Sequence, residues 1–241
     1  MTTYATATDI VNTALQELGM GVVNLNAAAN DATGYQMLGL LNALGDEVLR
    51  SNDWQQSEKI MTFVGDGITD TFALPTDYGR QVNQTEWSTS QRRPLTGPVS
   101  PQMWSWNQYG IVSAGVYYQY RIVQSAYHIF PVPADGEEFA LYYINKNWVL
   151  VHGDIINPVG ADRIVNPDDV VSFDRRLMIA GLKLKFWTAK GLDTTALKSE
   201  FDFMLANEKA ASTGAPVVSL TGNNSNVLLG WGNITDGSWN T

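Results

Sequence analysis

The fold is decided by residues 116–147, VYYQYRIVQSAYHIFPVPADGEEFALYYINKN. Aromatic and β-branched residues, which favour strands, dominate Val116–Val123, Tyr127–Val132 and Phe139–Ile144. Prolines and the Asp135-Gly136 pair separate the last two segments, as expected of a turn between strands. The stretch therefore predicts three strands in an antiparallel meander.

The first of these strands has two different faces, because successive side chains on a strand point to opposite sides of a sheet. The more apolar face carries Val116, Tyr118, Tyr120 and Ile122. The other face carries Tyr117, Gln119, Arg121 and Val123. Since both faces hold tyrosine, we expect the second face to contact another layer of the same chain or another copy of it.

Helical periodicity precedes this centre. The pattern predicts a helix over residues 8–19, capped by Thr8 or Asp9 and ended by Gly19. A second helix is predicted from Asp31 to Arg50. Its apolar stripe consists of Tyr35, Leu38, Leu41, Leu44, Val48 and Leu49.

Helical periodicity also follows the centre. The run Asn166-Pro167-Asp168-Asp169 combines a cap, a proline and two acids, which predicts the start of a helix that Gly191 ends. Its apolar stripe consists of Val170, Phe173, Leu177, Ala180, Leu184 and Trp187. A last helix begins at Asp193 or Thr194 and ends near Ser212, so the two form a helical hairpin.

Shorter elements are predicted between the second helix and the meander. Lys59–Val64 and Ile68–Leu74 flank Gly65-Asp66-Gly67, which is typical of a β-hairpin. Gln81–Trp87 predicts another strand. Ser100-Pro101 predicts the start of a short helix, because proline is well tolerated at the first helical position.

The predicted fold class is α+β. Residues 1–55 and 165–212 are expected to form a helical bundle, and residues 56–164 an inserted antiparallel β domain that is a sandwich or barrel-like. Residues 213–241 contain no Lys or Arg and too little apolar material to fold alone, so we expect an extended arm that orders on a partner. The arm's predicted partner-binding residues are Val217, Val218, Leu220, Val227, Leu228, Leu229 and Trp231.

Composition excludes several classes of protein. The 241 residues include 15 Lys and Arg against 24 Asp and Glu, a net charge of −9 that argues against a tight grip on nucleic-acid phosphates. Passing contact with DNA stays open. No cysteine is present, which excludes disulfides and thiolate zinc sites. We expect neither a secretory signal nor a membrane span, because no basic-then-apolar start and no run of about 18 apolar residues occurs.

Candidates for catalysis are few. His128 lies in a predicted strand, and His152-Gly153-Asp154 pairs a base with a carboxylate in a loop but without a recognisable nucleophile. The pairs Glu137-Glu138 and Asp168-Asp169 suit the acid and base of a glycosidase, although turn solvation and helix capping explain them more simply. We therefore predict no catalytic residue, no metal ligands and no cofactor.

Aromatic residues in and before the meander are the candidate contact surface. They are Trp104, Trp106, Tyr109, Tyr117, Tyr118 and Tyr120. Large aromatic side chains are common in protein interfaces, so we expect these residues to contact other subunits or other proteins. A sugar-stacking platform made of Trp104, Trp106 and Tyr109 is the alternative.

Several short patterns follow one another over most of residues 7–212. They are TDIVNTALQELG at 8–19, Asn52-Asp53-Trp54, Leu74-Pro75-Thr76-Asp77-Tyr78 with Arg80, Ile129-Phe130-Pro131, Leu141-Tyr142-Tyr143-Ile144, and the closing helix pair. Their order and spacing resemble the head-to-tail connector, or tail adaptor, proteins of tailed bacteriophages. The resemblance is greatest to the tail tubular protein A type of short-tailed phages.

This resemblance implies a non-enzymatic virion protein, made in the host cytoplasm, that forms a dodecameric ring at the head-tail junction. Its helical part would dock under the portal protein and its β domain would face nozzle or tail fibre proteins. DNA would pass through the channel without specific binding, and no membrane is involved. Residues 213–241 lie outside the resemblance, so the arm's partner is either the portal or a neighbouring subunit. A carbohydrate-binding β-sandwich module and a phage-borne glycosidase are the alternative functions.

Overall fold

The computed structural model of the chain describes residues 4–23, 25, 31–110, 117–151 and 160–213. Over these residues the fold is α+β, with helices near both ends and most strands between them. Val116, His152 and the predicted arm beyond Thr213 lie outside the described residues. None of the described helices is both long enough and apolar enough to cross a membrane.

The described residues contain five α-helices and twelve strands. The helices are α1 (Ala7–Glu17), α2 (Ala32–Arg50), α3 (Pro101–Tyr109), α4 (Arg175–Lys190) and α5 (Thr195–Thr213). The strands are β1 (Ala5–Thr6), β2 (Glu58–Val64), β3 (Thr71–Ala73), β4 (Tyr78–Gln81), β5 (Trp87–Ser88), β6 (Arg93–Pro94), β7 (Gln119–Val123), β8 (Ala126–Phe130), β9 (Glu138–Asn145), β10 (Val149–Leu150), β11 (Gly160–Ala161) and β12 (Val170–Val171).

The strands form three sheets from antiparallel pairs. The first has the order β1-β12-β10-β11 and lies with the helices. The second has the order β2-β9-β5-β6, and β4 also pairs with β9. The third has the order β3-β8-β7. Strand β9 is therefore the centre of the second sheet, with three different partners along its length.

The predicted meander is only partly present. Strands β7 and β8 form a hairpin in which Tyr120 lies opposite Ile129, and Gln124 and Ser125 supply the positive φ values of its turn. The predicted third strand is present as β9, but its place in the meander is wrong, because β9 belongs to the second sheet. The prolines between β8 and β9 lack the N–H groups that a strand ladder needs, and the chain crosses to the second sheet there.

The predicted hairpin over residues 59–74 is also wrong. Strand β2 pairs with β9, whereas β3 pairs with β8 in the other sheet. The Asp66 carboxylate accepts hydrogen bonds from the N–H groups of Ile68 at 2.9 Å and Thr69 at 2.6 Å. The Thr69 hydroxyl, which also donates to it, is the largest of the causes that lower the pKa of Asp66 to about 2. This turn thus carries the chain from one sheet to the next.

The predicted strand over residues 81–87 is replaced by a turn between two strands. Strand β4 ends at Gln81, β5 begins at Trp87, and Gln84 between them has a φ of 65°. Both strands pair with β9, β4 near Asn145 and β5 near Phe139. The intervening residues bridge the gap between these two positions.

Helices α1 and α2 lie close to their predicted bounds. The cap of α1 is Thr6, whose hydroxyl accepts a hydrogen bond from the Asp9 N–H at 3.2 Å, so the prediction of Thr8 or Asp9 is wrong. The Thr8 hydroxyl donates instead to the Pro167 carbonyl at 2.8 Å. Asp31, the predicted first residue of α2, is its cap. Tyr35 of the predicted apolar stripe is half exposed, and Met37 takes a buried position instead.

Helix α4 begins later than the sequence predicts. Asp169 is buried, and its carboxylate accepts hydrogen bonds from the N–H groups of Val165 and Asn166, which forms a turn rather than a helix start. The β-branched pair in β12 then joins β1 and β10, and Asp174 caps α4. Gly191 ends α4 with a φ of 70°, as predicted.

Buried side chains form two clusters. The first joins α1, α2 and α4 to the first sheet, and the half-buried Phe201, Met204 and Leu205 of α5 pack against it. The second lies between the other two sheets and contains Met61, Leu95, Tyr120, Tyr127, Ile129, Phe139, Leu141 and Tyr143. The first cluster also contains Trp148, Val149 and Ile164, although these residues lie within the range predicted for the β domain, 56–164.

We predict that Gly45→Ala destabilises the fold. A Cβ atom at Gly45 would lie 2.3 Å from the buried Trp148 ring, which must then move. We expect the free energy of unfolding to fall by about 1–3 kcal/mol. The matched control is Gly39→Ala in the same helix, where a Cβ meets nothing within 4 Å and stability should rise by about 0.5–1 kcal/mol. Equal unfolding midpoints in urea for the two variants would contradict this packing.

We also predict a pH-dependent loss of stability in Glu17→Gln. The Lys183 ammonium, 2.7 Å from the Glu17 carboxylate, lowers the pKa of Glu17 below its ordinary 4.5. Because the pKa is lower in the folded state, the ionised carboxylate stabilises the fold above about pH 4.5. This stability is lost as the pH falls through the folded-state pKa. At neutral pH the variant should therefore lose about 1–3 kcal/mol of unfolding free energy.

The difference between Glu17→Gln and the wild type should be smaller at about pH 3 than at neutral pH, because the native carboxyl takes up a proton as the pH falls through its lowered pKa. Urea titrations at both pH values measure it. The exposed Glu58, which forms no ion pair with the described residues, gives the control variant Glu58→Gln. A Glu17→Gln deficit that is the same at both pH values would contradict the linkage.

Candidate functional site

Helix α3 presents large apolar side chains to solvent. Met103, Trp106 and Tyr109 are 47%, 60% and 84% exposed, and we call these three residues the α3 surface. They lie at intervals of three, which places them along one side of a helix. Together with neighbouring polar residues they line a concavity of about 870 Å³. Exposed apolar patches of this kind mark contact sites more often than scattered single residues do.

The other side of α3 is fixed to the third sheet. The Trp104 ring meets the rings of His128 and Phe130 edge-on, with 6.3 Å between centroids in each pair. The buried Asn107 amide donates a hydrogen bond to the Gln119 side-chain oxygen at 2.5 Å. The α3 surface is thus held on a rigid sheet by two tethers, which lowers the entropy cost of binding through it.

Ser100 explains why a helix forms at this point. Its hydroxyl accepts a hydrogen bond from the Met103 N–H at 3.2 Å, and Pro101 occupies the first helical position. This is the predicted start of the short helix. The helix ends at Gly110, whose N–H donates to the Trp106 carbonyl at 2.7 Å.

The structure divides the six predicted contact residues into exposed and internal groups. Trp106, Tyr109 and Tyr117 are exposed, and the Arg93 guanidinium lies 5.7 Å from the Tyr117 ring centre. Trp104 is only partly exposed, because it is the tether described above. The six residues therefore do not form one continuous surface.

Tyr120 is a core residue and not a contact residue, which corrects the sequence prediction. It is 1% exposed, its ring stacks on Tyr127, and its hydroxyl donates to the buried Glu86 carboxylate at 2.6 Å. Burial raises the pKa of Tyr120. The half-buried Tyr118 also points inward, since its hydroxyl donates to Glu137. Burial and this carboxylate raise the pKa of Tyr118 to about 12.

The predicted catalytic candidates serve as structural groups where they are described. Glu137 is buried and accepts hydrogen bonds from the Ser88 hydroxyl, at 3.0 Å, and from Tyr118, whereas its neighbour Glu138 is exposed. His128 lies 3.0 Å from the Thr71 hydroxyl across paired strands. The described part of the chain holds no group of three or more His, Asp or Glu residues that could bind a metal ion.

A second concave site lies between the two layers of the fold, and no sequence pattern indicates it. It has a volume of about 830 Å³ and lies between α2, the β4 and β9 strands and residues 162–163. Arg50, Arg80, Lys146 and Arg163 contribute the positive charges, and we call the site the cationic cleft. These four residues come from separate segments of the chain, so no sequence motif signals their proximity.

Comparisons with known proteins do not connect this chain to a family. No protein-family model matches the sequence. No curated protein matches it either. The features of this chain that bear on function are its α3 surface, its cationic cleft and its net negative charge.

Proposed function

We propose that the chain is a structural virion protein that forms an adaptor ring between the portal and the tail of a bacteriophage. The α3 surface is the observation that carries this proposal. Three large apolar side chains are exposed on a helix that is tethered on its opposite side. In a ring, each subunit contacts its two neighbours through two different surfaces. An apolar surface on one subunit can therefore be covered by the neighbouring subunit at every position of the ring.

The arrangement of the two buried clusters supports contacts with different partners. The first cluster contains helices from both ends of the chain, which suits a bundle of residues 1–55 and 165–212 that docks on the portal. The second cluster lies between sheets, which suits a β domain that faces the nozzle or tail fibres. Helix α5 packs against the first cluster and ends at Thr213, so the arm of residues 213–241 leaves from the helical layer.

The net charge of −9 supports a channel that does not retain DNA. Affinity for DNA comes mostly from Lys and Arg residues that displace counterions from phosphates. An acidic subunit repeated around a ring repels the DNA backbone instead. This role is structural and needs neither a catalytic residue nor a cofactor.

Carbohydrate binding is the second candidate function, and the same helix favours it. Exposed Trp106 and Tyr109 rings are suited to stacking on sugars, and Gln102 and Ser105 add polar groups to the concavity. A monomer that binds defined sugars on a glycan array through these residues would favour this function. A glycosidase gains no support from Glu137 and Asp169, because internal hydrogen bonds occupy both carboxylates.

We predict that Trp106→Ala combined with Tyr109→Ala weakens ring formation. Native mass spectrometry and negative-stain imaging of the purified chain, mixed with its portal, should show a cyclic species for the wild type. The double variant should lose most of it, since buried aromatic residues often contribute about 2 kcal/mol or more each at an interface. Its unfolding midpoint should stay unchanged, because both side chains are exposed.

The control for this experiment is Ile68→Ala. Ile68 is 84% exposed in the turn after β2, so the change removes a large apolar group outside both the α3 surface and the helical layer. It should leave the ring intact. Absence of any cyclic species in the wild-type mixture would refute the adaptor proposal, and equal loss in both variants would refute the role of the α3 surface.

We predict that deletion of residues 213–241 leaves the fold intact and weakens assembly. The described residues of both buried clusters precede the deletion, so the unfolding midpoint should change little. Assembly should weaken because apolar residues such as Val227, Leu228 and Trp231 are lost. Circular dichroism melting and native mass spectrometry measure the two effects, and unchanged assembly would exclude the arm as a contact.

A further inference from the structure

The cationic cleft concentrates positive charge in an acidic chain. Its lining includes four cationic residues and two acidic ones, Asp46 and Asp162, whereas the whole chain carries a net charge of −9. Three of the cations, Arg50, Lys146 and Arg163, are exposed and form no ion pair with any described residue. Other cations without an ion pair among the described residues, such as Arg92, Lys198 and Lys209, lie outside the cleft, so its distinction is that three unpaired cations line one concavity. The cleft therefore keeps its charge available for a ligand.

Arg80 adds an unsatisfied donor to the same cleft. One of its terminal nitrogens, Nη2, lies 2.9 Å from Asp53 and also donates to the Asn52 carbonyl. The other, Nη1, is buried and has no hydrogen-bond partner among the described residues. A buried donor without an acceptor is unfavourable, and an oxygen acceptor that reached it from the cleft would relieve this cost.

One aromatic ring in the lining helps to define which class of ligand fits. Leu49 and Ile144 are almost fully buried, so the half-buried Tyr78 is the apolar group that a ligand can contact. A nucleic-acid backbone presents evenly spaced phosphates and is bound by uniformly basic surfaces. The net charge of −9 on the chain repels such a long polyanion, whereas a short segment places its few carboxylates in the cleft alone. A ligand with separate carboxylates and an apolar side chain matches this mixed lining better.

We propose that the cationic cleft binds an acidic peptide segment. Its aspartate or glutamate carboxylates pair with Arg50, Lys146 and Arg163, and an apolar side chain packs on the Tyr78 ring. Arginine is suited to this task, because its planar guanidinium binds a carboxylate through two parallel hydrogen bonds. This binding does not depend on the α3 surface or on ring formation.

The test uses the full chain and a fluorescent peptide of glutamate, leucine and glycine. A matched peptide has glutamine in place of each glutamate. Fluorescence anisotropy should show binding of the acidic peptide that weakens as salt is raised, and no binding of the glutamine peptide. Failure of the wild-type chain to bind the acidic peptide, or equal binding of both peptides, would overturn the proposal.

Variants locate the binding site. Combined Arg50→Gln, Lys146→Gln and Arg163→Gln should weaken peptide binding by about tenfold or more, since each change removes one of the exposed ion pairs to the peptide's carboxylates. The control combines Arg92→Gln, Lys198→Gln and Lys209→Gln, which removes the same charge outside the cleft. Its affinity should match the wild type, and all three proteins should melt alike. Equal weakening in both combinations would overturn the assignment to the cleft.

Competition identifies the class of ligand. Neither inorganic phosphate nor a DNA duplex should displace the acidic peptide at equal concentration of charged groups. Tighter binding of the duplex would replace the peptide with a nucleic acid as the occupant. Equally effective competition by phosphate would reduce the cleft to a general oxyanion site, and either result would overturn the proposal.

Discussion

The packing of the Trp148 indole on α2 holds the two layers of this fold together. Trp148 is fully buried, stacks with Phe173 at 6.3 Å between ring centres, and lies where only a glycine, Gly45, leaves room for it. Its indole nitrogen also donates to Asp46 at 3.3 Å. Because Trp148 follows β9 by only a few residues, this contact fixes the centre of the second sheet against the helices. The cationic cleft depends on the same junction, since α2 and β9 both line it.

The sequence predicts local elements well and strand partners poorly. The bounds of α2 and α3 follow from capping side chains within the same segment, so periodicity and caps are sufficient to identify them. Strand β9 has a clear strand composition, but its partners are β2, β4 and β5, which lie far from it in the chain. No local pattern in the sequence indicates which of these distant strands pair with β9. The Asp66 turn has the composition of a hairpin but leads between sheets. Turn chemistry describes how a chain bends and not which strands pair afterwards.

The candidate sites differ in the same way. Trp106 and Tyr109 are identifiable from the sequence as large aromatic residues on a short helix, although only the structure separates them from the buried Tyr120. Alternation along β7 does predict that Tyr118, Tyr120 and Ile122 share the face toward the β cluster. The cationic cleft has no sequence signal, because its four cations reach one place through tertiary packing. The net charge of the whole chain, −9, gives no indication of this local excess of positive charge.

The contact between α1 and α4 also determines the order in which the chain completes its cores. The hydrogen bond from Thr8 to Pro167 joins residues 159 positions apart, and Arg175 of α4 pairs with Asp9 of α1. Because a ribosome releases the N-terminus first, α1 and α2 emerge long before their partner helix exists. The strands of the β layer, which lie between them in the chain, are all present earlier. During synthesis, every strand of the β layer is therefore available before α4 and α5 are made. Until then the apolar faces of α1 and α2 remain uncovered.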